Sequence, residues 1–325
     1  MITVAINGFG RIGKLLFRMI MKRDDVRVGA INCSIPVIDL PTYLEYDSVH
    51  GREIFEFDIL DESNVRINGQ LVGIVNSRDP SSIDWTKYGI DVVIEATGKF
   101  REYHKAAQHA CDKIIITAPA DEEVPIFCYG VNHEQYKDQH VISAGSCTTN
   151  CVAPLLHSIH QHFVMDQVNF LTVHSSTQSQ PILDRASRKR ADRSVLNNII
   201  PYTTGASDAV RRLIPDLSNI YGAAVRVPTS DVSMVDIVIH CPEKVYLSDV
   251  LNTIRSSSLY GKVFYIQNEG LVSSDYRGNQ VPCIVDGPAS EQLSPKSIRI
   301  VMWYDNEISY CAQLLSLLQQ PYAGE

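Results

Sequence analysis

The segment SAGSCTTNC, residues 143–151, sets two thiols four residues apart, with Ser146 before the first and a Thr-Thr pair after it. Thiols at that spacing suit three kinds of chemistry: half of a metal site, one end of a disulfide, or a nucleophile that needs a base. A zinc site requires about two more Cys or His at close spacing. The nearest following histidines, His157, His160 and His162, lie on a helix-like run and read as surface residues, so no metal is expected. The eight cysteines, at 33, 111, 128, 147, 151, 241, 283 and 311, show no repeating framework and read as reduced thiols of a cytoplasmic protein. A nucleophile needs its pKa lowered, which a helix N-terminus and a nearby imidazole both achieve. Cys147 opens an apolar-periodic helix, and TVHSST at 172–177 ends a strand on His174, so a lowered thiol pKa is expected at Cys147. Cys151, one turn further on, reads as a small buried apolar residue.

These groups must be positioned by the elements around them. VAING at 4–8 is a short apolar run ending in glycine, followed by an apolar-periodic stretch from Ile12 to Met21 and by VRVGAIN at 26–32. Strand, helix and strand in about thirty residues make a βαβ unit of a parallel sheet. Further strand-like runs fall at 65–67, 91–95, 113–117 and 140–143, with a helical pattern at 101–111, so the first half is expected to be a doubly wound α/β sheet. After the two thiols the pattern changes. A helix over about 148–163 leads into the alternating run QVNFLTVH, and later runs at 223–228, 235–241 and 297–304 alternate without a helix after each strand. That predicts a second, α+β domain on a mixed or antiparallel sheet.

At the end of the first strand stands GFGRIG, residues 8–13. In this form Gly8 allows a tight turn, Gly10 lets the backbone approach a pyrophosphate, and Gly13 lets the helix pack on the sheet, while the helix N-terminus faces the anion. Because the hexapeptide follows a strand and opens a helix, it predicts dinucleotide binding in a Rossmann domain over 1–147, with a catalytic domain over 148–306. A final helix, within about 307–325, is expected to return to the first domain. One part of the fingerprint is missing: the carboxylate that binds the adenosine ribose of NAD is expected near the end of the second strand, and the chain reads Asn32-Cys33-Ser34 there.

The 325 residues are 45% hydrophobic and 20% charged, which suits about two domains with ample core. A formal net charge of −8 disfavours nucleic acid as a main partner, and the one basic run, DRASRKRADR at 184–193, has no interleaved aromatics. The chain opens MITVAI with no basic leader and has no apolar run long enough for a bilayer, so secretion and membrane insertion are not expected.

Taken together, NGFGRIG, YDSVHG, SRDP, EATGKF, SCTTNC, TVHSST, IIPYTTGA, AVRVPTSDVSMVD and WYDNE resemble, in order and spacing, the phosphorylating glyceraldehyde-3-phosphate dehydrogenases, from Ile2 to the final helix. SCTTNC is the most specific of these motifs. The resemblance implies that Cys147 is the catalytic thiolate and His174 its base and acid. It implies that Thr177, Ser179 and Arg226 hold the substrate's phosphate, and that Ser146, Thr148, Arg193, Thr204 and Gly205 surround the attacking inorganic phosphate. Gly8, Gly10, Arg11, Ile12, Gly13, Asn32, Cys33, Arg78, Thr97, Gly98, Thr117, Asn306 and Tyr310 would line the NAD or NADP site. A homotetramer acting on glyceraldehyde 3-phosphate follows from the same resemblance.

The chain also departs from the family pattern. Ala144-Gly145 stands where an Asn-Ala pair is usual, which should loosen the approach to the nucleophile. Cys33 replaces the ribose carboxylate, as in the branch that prefers or accepts NADP, so NADP use at least as good as NAD is expected. The 184–193 segment looks one residue short, with Arg185-Ala186 in place of an apolar residue and a proline, and reads either as a subunit-contact loop or as a source of positive charge near the adenosine end of the cofactor. Two other functions compete: erythrose-4-phosphate dehydrogenase, which CIVDG at 283–287 and His174-Ser175 partly resemble, and a redox-sensing or binding protein on the same fold.

Overall fold

A computed structural model describes residues 1–320, in two compact units. The first unit holds Met1–Phe127, Glu134–Gly145 and the described residues from Leu318; the second holds Cys128–His133 and Ser146–Leu317.

The first unit has strands β1 (Ile2–Asn7), β2 (Val26–Asn32), β3 (Phe57–Ile59), β4 (Asn64–Ile67), β5 (Gln70–Val75), β6 (Val92–Glu95), β7 (Ile114–Ile116) and β8 (Val141–Ser143), with helices α1 (Arg11–Ile20), α2 (Leu40–Glu45) and α3 (Tyr103–Ala106). The sheet runs β3-β4-β5-β2-β1-β6-β7-β8. From β5 to β8 every pairing is parallel, and β4 and β3 extend the β5 edge antiparallel. This is the doubly wound order expected. β1, β6 and β7 are buried at every position, as parallel strands covered on both faces must be, which is why they read as unbroken apolar runs rather than alternations.

The register of β1 against β2 slips by one residue between Val4 and Ala5, where Gly29 forms a bulge. Beyond the bulge Asn7 faces Asn32 on one side and Glu95 on the other, so three polar residues stand in a row at the carboxyl ends of neighbouring strands.

The second unit has β9 (Gln167–His174), β10 (Ile200–Tyr202), β11 (Ile220–Arg226), β12 (Ser233–His240), β13 (Phe264–Gln267), β14 (Cys283–Ser294) and β15 (Ser297–Tyr304), with helices α4 (Cys147–His160), α5 (Ala206–Leu213), α6 (Leu247–Ser256) and α7 (Ile308–Leu318). Its sheet runs β10-β11-β9-β12-β15-β14-β13 and is mixed: β11 with β9 and β13 with β14 are parallel, the other pairs antiparallel. Along β12 buried and half-buried residues alternate strictly, the period-2 signature of a sheet with one covered face. α5 packs on β11, α6 on β13, and α4 against both helices.

Three details differ from the sequence expectation. The chain divides at Gly145/Ser146 rather than after residue 147, and α7 groups through Leu317 with the second unit, because its Tyr310 and Cys311 are buried close to Cys128 of that unit. Residues 321–325, part of the expected final helix, lie outside the described residues. The helix expected over 101–111 stops at Ala106; His109 then turns inward, fully buried, to meet Glu95 and Trp85.

Candidate active site

In the first unit the carboxyl ends of β5, β2, β1 and β6 surround a cavity of about 550 Å³. Its floor is the glycine turn. Gly8 has φ +98°, and a Cβ there would stand 2.7 Å from the Thr97 nitrogen; at Gly13 it would stand 2.1 Å from the Gly8 carbonyl oxygen. Only glycine fits either place, and the free wall is backbone, as a pyrophosphate at the α1 N-terminus requires. Gly8, Gly10, Asn32, Cys33, Arg78 and Thr97 line the cavity as expected from sequence. Arg11, Ile12, Gly13, Gly98 and Thr117 are not on its wall. The Arg11 guanidinium instead pairs with the buried Asp47 carboxylate, which Lys14 also contacts at 2.9 Å; these donors hold Asp47 well below the usual carboxylate range, against the effect of burial.

Beneath the cavity lies a polar network that sequence reasoning did not anticipate. Asn7 Nδ2, the Thr97 backbone N–H at 2.8 Å and the Thr97 hydroxyl all donate to Glu95, which is 1% exposed. Trp85 Nε1 donates to His109 Nδ1 at 3.2 Å, which leaves the His109 Nε2 proton to reach Glu95 at 3.2 Å. Asn32 completes the row: its Nδ2 donates to Asn7 Oδ1 at 2.6 Å and to the Ser77 carbonyl at 2.8 Å, and its Oδ1 accepts from the Ser77 N–H at 2.9 Å. Every donor here is paired, so the strand ends that shape the cavity are tied to one another. The only signal in the sequence was polar residues at the ends of otherwise apolar strands.

In the second unit Cys147 is the first residue of α4. Ser146 is the N-cap, its hydroxyl accepting from the Thr149 N–H at 3.0 Å, a contact that stabilises the helix by about 1 kcal/mol. The Cys147 sulfur is then faced by its own N–H and by the N–H and hydroxyl of Thr148. His174 ends β9, and its Nε2 lies 3.4 Å from that sulfur. The ring's other nitrogen, Nδ1, lies 2.8 Å from the Ser175 carbonyl oxygen; with the proton on Nδ1 facing that carbonyl, Nε2 would present its lone pair to the thiol. Arg226, paired with His174 in the β11–β9 register, donates to the same carbonyl at 2.9 Å and sits 2.5 Å from Nδ1. Its guanidinium also lies over the Tyr202 ring, 5.2 Å from the centroid, and its buried Nε has no partner among the described residues.

The electrostatics correct one expectation. Burial pushes the Cys147 thiol up rather than down, with Arg226 and the Thr148 donors opposing it. Burial, then the Arg226 charge, pushes His174 down to about 3. Separating charge in so desolvated a place costs more than the helix N-terminus returns, so sulfur and imidazole are both neutral in the free site. The geometry supplies what a nucleophile needs all the same, because the base is already in contact and can take the proton as the sulfur bonds to carbon. Cys151 is fully buried, with its thiol against Cys283 and its pKa well raised by burial, and all eight cysteines are free.

The remaining candidates fall into place unevenly. Thr177 and Ser179 hydroxyls lie 3.0 Å apart in the loop after β9. Thr148 is buried, with its hydroxyl 2.8 Å from that of Tyr304. Thr204 and Gly205 lead into the N-terminus of α5, Gly205 being its N-cap. Arg193 is engaged elsewhere: its exposed guanidinium pairs with Asp184 at 2.6 Å. Asn306 belongs to the second unit, where the Ser175 and Ser233 hydroxyls both donate to its Oδ1 at 2.8 Å, leaving its Nδ2 as the free donor; Tyr310 is buried near Cys147. Gly145 has φ +67°, a conformation that suits glycine and that the usual alanine would adopt only with strain.

A doubly wound sheet with a glycine-lined cavity defines a dinucleotide-binding unit, and the mixed-sheet unit that follows carries a thiol in contact with an imidazole, the constellation of an oxidoreductase. Residues 2–103 match the model of the glyceraldehyde 3-phosphate dehydrogenase NAD binding domain and residues 146–306 that of the C-terminal domain. The chain therefore belongs to the glyceraldehyde 3-phosphate dehydrogenase family. It is 38% identical over 328 residues to the glyceraldehyde-3-phosphate dehydrogenase of Buchnera aphidicola subsp. Schizaphis graminum, covering 98% of each chain. Similarity to glyceraldehyde-3-phosphate dehydrogenase 1 of Kluyveromyces marxianus is also 38%, over 98% of this chain and 99% of that protein. A chloroplastic member from Arabidopsis thaliana is 40% identical over 97% of this chain and 77% of its own length.

Proposed function

We propose that the Cys147–His174–Arg226 contact chain carries the family's reaction, with Cys147 as nucleophile, His174 as base and acid, and Arg226 as the phosphate ligand of the substrate. Membership of the family makes the chain an NAD(P)-dependent phosphorylating dehydrogenase that converts glyceraldehyde 3-phosphate and inorganic phosphate to 1,3-bisphosphoglycerate, the step its relatives are named for; the four-carbon and redox-sensing readings gain nothing from the comparisons. The observation that carries the residue roles is the 3.4 Å contact of Cys147 Sγ with His174 Nε2.

The steps follow from these positions. Cys147 bonds through sulfur to the aldehyde carbon while its proton passes to His174 Nε2 and on to the oxygen, giving a thiohemiacetal. His174 then withdraws the hydroxyl proton. Bound in the glycine-lined cavity, the cofactor supplies the hydride acceptor. The acyl thioester left on Cys147 is cleaved by inorganic phosphate, which takes the acyl group as the thiolate leaves. Arg226 is fitted to an anion because its Nε is buried without a partner and its position over Tyr202 fixes the fork. Arg226→Lys should raise the KM for glyceraldehyde 3-phosphate about tenfold or more and leave that for non-phosphorylated glyceraldehyde little changed. Equal losses on both aldehydes would make Arg226 a support for His174 instead. Turnover measured with three- and four-carbon aldehyde phosphates, with and without phosphate, tests the substrate assignment as a whole.

NADP use at least equal to NAD belongs to the same reading. Cys33 is on the cavity wall where a carboxylate would both bind the ribose hydroxyls of NAD and repel a 2′-phosphate; a buried thiol with a raised pKa does neither. Cys33→Asp should lower kcat/KM with NADP by about tenfold, about 1.4 kcal/mol, and affect NAD less. A wild-type preference for NAD that the substitution leaves unaltered would show that position 33 does not read the ribose.

A homotetramer is supported by the apolar residues that the 180–200 segment leaves exposed, Ile182, Leu183, Leu196 and Ile199, all more than half exposed. Sedimentation equilibrium decides it, a monomer mass being the adverse result. Cytoplasmic residence is supported by eight free cysteines, and among the described residues no helix is long and apolar enough to cross a membrane. Cell fractionation with a disulfide-free isolate is the corresponding measurement.

A further inference from the structure

The loop after β9 closes on itself around one buried side chain. Residues Thr177 to Gln180 make a tight turn, in which the Gln180 N–H donates to the Thr177 carbonyl at 2.9 Å. Thr177 and Ser179 are exposed, whereas Gln180 is 6% exposed and turns its amide to both of them. Its Oε1 accepts from the Thr177 N–H and from the Thr177 hydroxyl, both at 2.9 Å, and its Nε2 donates to the Ser179 hydroxyl oxygen at 2.8 Å. The backbone N–H fixes which way the amide faces. Since the Thr177 proton is committed to Oε1, Ser179 must be the donor across the 3.0 Å between the two hydroxyls. Donation therefore runs one way round a ring, from Gln180 Nε2 to Ser179, from Ser179 to Thr177, and from Thr177 back to Gln180 Oε1. The loop is also tied to the segment after Arg226: the Val227 N–H donates to the His174 carbonyl at 3.0 Å, and the Ser176 N–H and hydroxyl donate to the Thr229 carbonyl at 2.9 and 2.8 Å.

We propose that Gln180 is the positioning residue of the substrate's phosphate site, holding the Thr177 and Ser179 hydroxyls in a ring that opens onto a dianion without orphaning its own buried amide. The proposal rests on the reading that Thr177 and Ser179 hold that phosphate, and it adds the group that aims them. In the closed ring every donor has an acceptor. When phosphate arrives, both hydroxyl protons turn outward to it, while Oε1 keeps the Thr177 N–H and Nε2 keeps the Ser179 oxygen, so neither end of the amide is left unpaired. The Ser179 oxygen is thus engaged in both states, and this hydroxyl has only its proton to offer. That suits a ligand group that accepts hydrogen bonds and has none to donate, as a phosphate dianion does. A carboxylate in place of the amide would reverse the preference, because its two oxygens would hold both hydroxyl protons and its charge would repel the anion.

Gln180→Glu keeps the shape of the side chain and Gln180→Met its length, so the two variants separate charge from loss of the ring. KM and kcat for glyceraldehyde 3-phosphate and for non-phosphorylated glyceraldehyde are measured on the full-length enzyme at fixed cofactor and inorganic phosphate. Gln180→Glu should raise the KM for the phosphorylated aldehyde about tenfold or more, keep its kcat within about threefold, and leave the KM for glyceraldehyde within about twofold. Gln180→Met should raise the same KM about threefold or more, by less than the carboxylate does. Equal losses on both aldehydes, or a ratio of the two KM values within about twofold of wild type in both variants while Thr177→Val changes it, overturns the positioning role and leaves the phosphate reading of Thr177 standing. A Thr177→Val enzyme whose ratio is unchanged overturns that reading, and the role of Gln180 with it.

Discussion

Cys147→Ala is expected to abolish turnover, by about 10⁴-fold or more, while Cys151→Ala keeps most of it. The argument is one of access and partners. Six of the eight thiols are buried, which leaves Cys147 and Cys111 as the two half-exposed candidates. Cys111 points its sulfur at the backbone carbonyls of Ile90, Asp91 and Lys113, acceptors that favour the protonated thiol. Cys147 has an imidazole nitrogen at 3.4 Å, the Thr148 N–H and hydroxyl, and the charge of Arg226. Stoichiometric iodoacetamide should therefore modify Cys147 first, and peptide mapping of the alkylated protein reads the order directly. Prior labelling of Cys111, or loss of activity on replacing Cys151 but not Cys147, would remove the nucleophile from the position assigned to it.

His174→Asn should cost at least about a hundredfold in kcat, since the variant keeps the ring's approximate volume and loses its only basic nitrogen. The same substitution has a second, independent signature. The imidazole is pushed down to about 3 in the folded chain, below its ordinary value of 6.5, so as pH falls the unfolded chain binds this proton first. The stability contributed by keeping the ring neutral is complete above about pH 6.5 and drains away as pH drops toward 3, at about 1.4 kcal/mol per unit, or about 2 kcal/mol by pH 5. An Asn side chain has no such term. In urea titrations at pH 7 and pH 5 the wild-type chain should lose about 2 kcal/mol more than the variant between the two. Parallel losses would mean that the ring is charged in the folded protein, and the base role would then begin from an imidazolium.

Much of this was legible in the sequence because the decisive signals are local. GFGRIG after an apolar run and before a periodic helix fixes the cavity's floor, and SCTTNC and TVHSST fall at a helix start and a strand end, where side chains face outward from the sheet. What escaped is what depends on distant partners. β5 and β13 are short and carry no alternation, and β10 contains Pro201, so pattern alone passed over them. The α3 helix ends early because of a tertiary contact of His109, and no helical periodicity reports that. Arg193 was assigned to phosphate by likeness of position, yet its guanidinium finds Asp184 nine residues back along the loop. The thiol's upward shift is a burial effect, and burial of residue 147 is set by chain segments far from it in sequence.

The one-residue bulge at Gly29 has a consequence for how faithfully this chain folds. Without it β2 would run one residue out of step beyond Ala5, presenting Ile31 to Asn7 and turning Asn32 away. Asn7 Oδ1 and the Ser77 N–H and carbonyl would then lose the partners that Asn32 supplies, and an orphaned buried polar group costs about 1–3 kcal/mol. An apolar row would tolerate such slippage, since one aliphatic side chain packs nearly as well as the next. The polar row does not, and it acts as a checksum on strand order: Asn32 meets Asn7 and Ser77, and Asn7 meets Glu95, only when β2, β1 and β6 stand in this register.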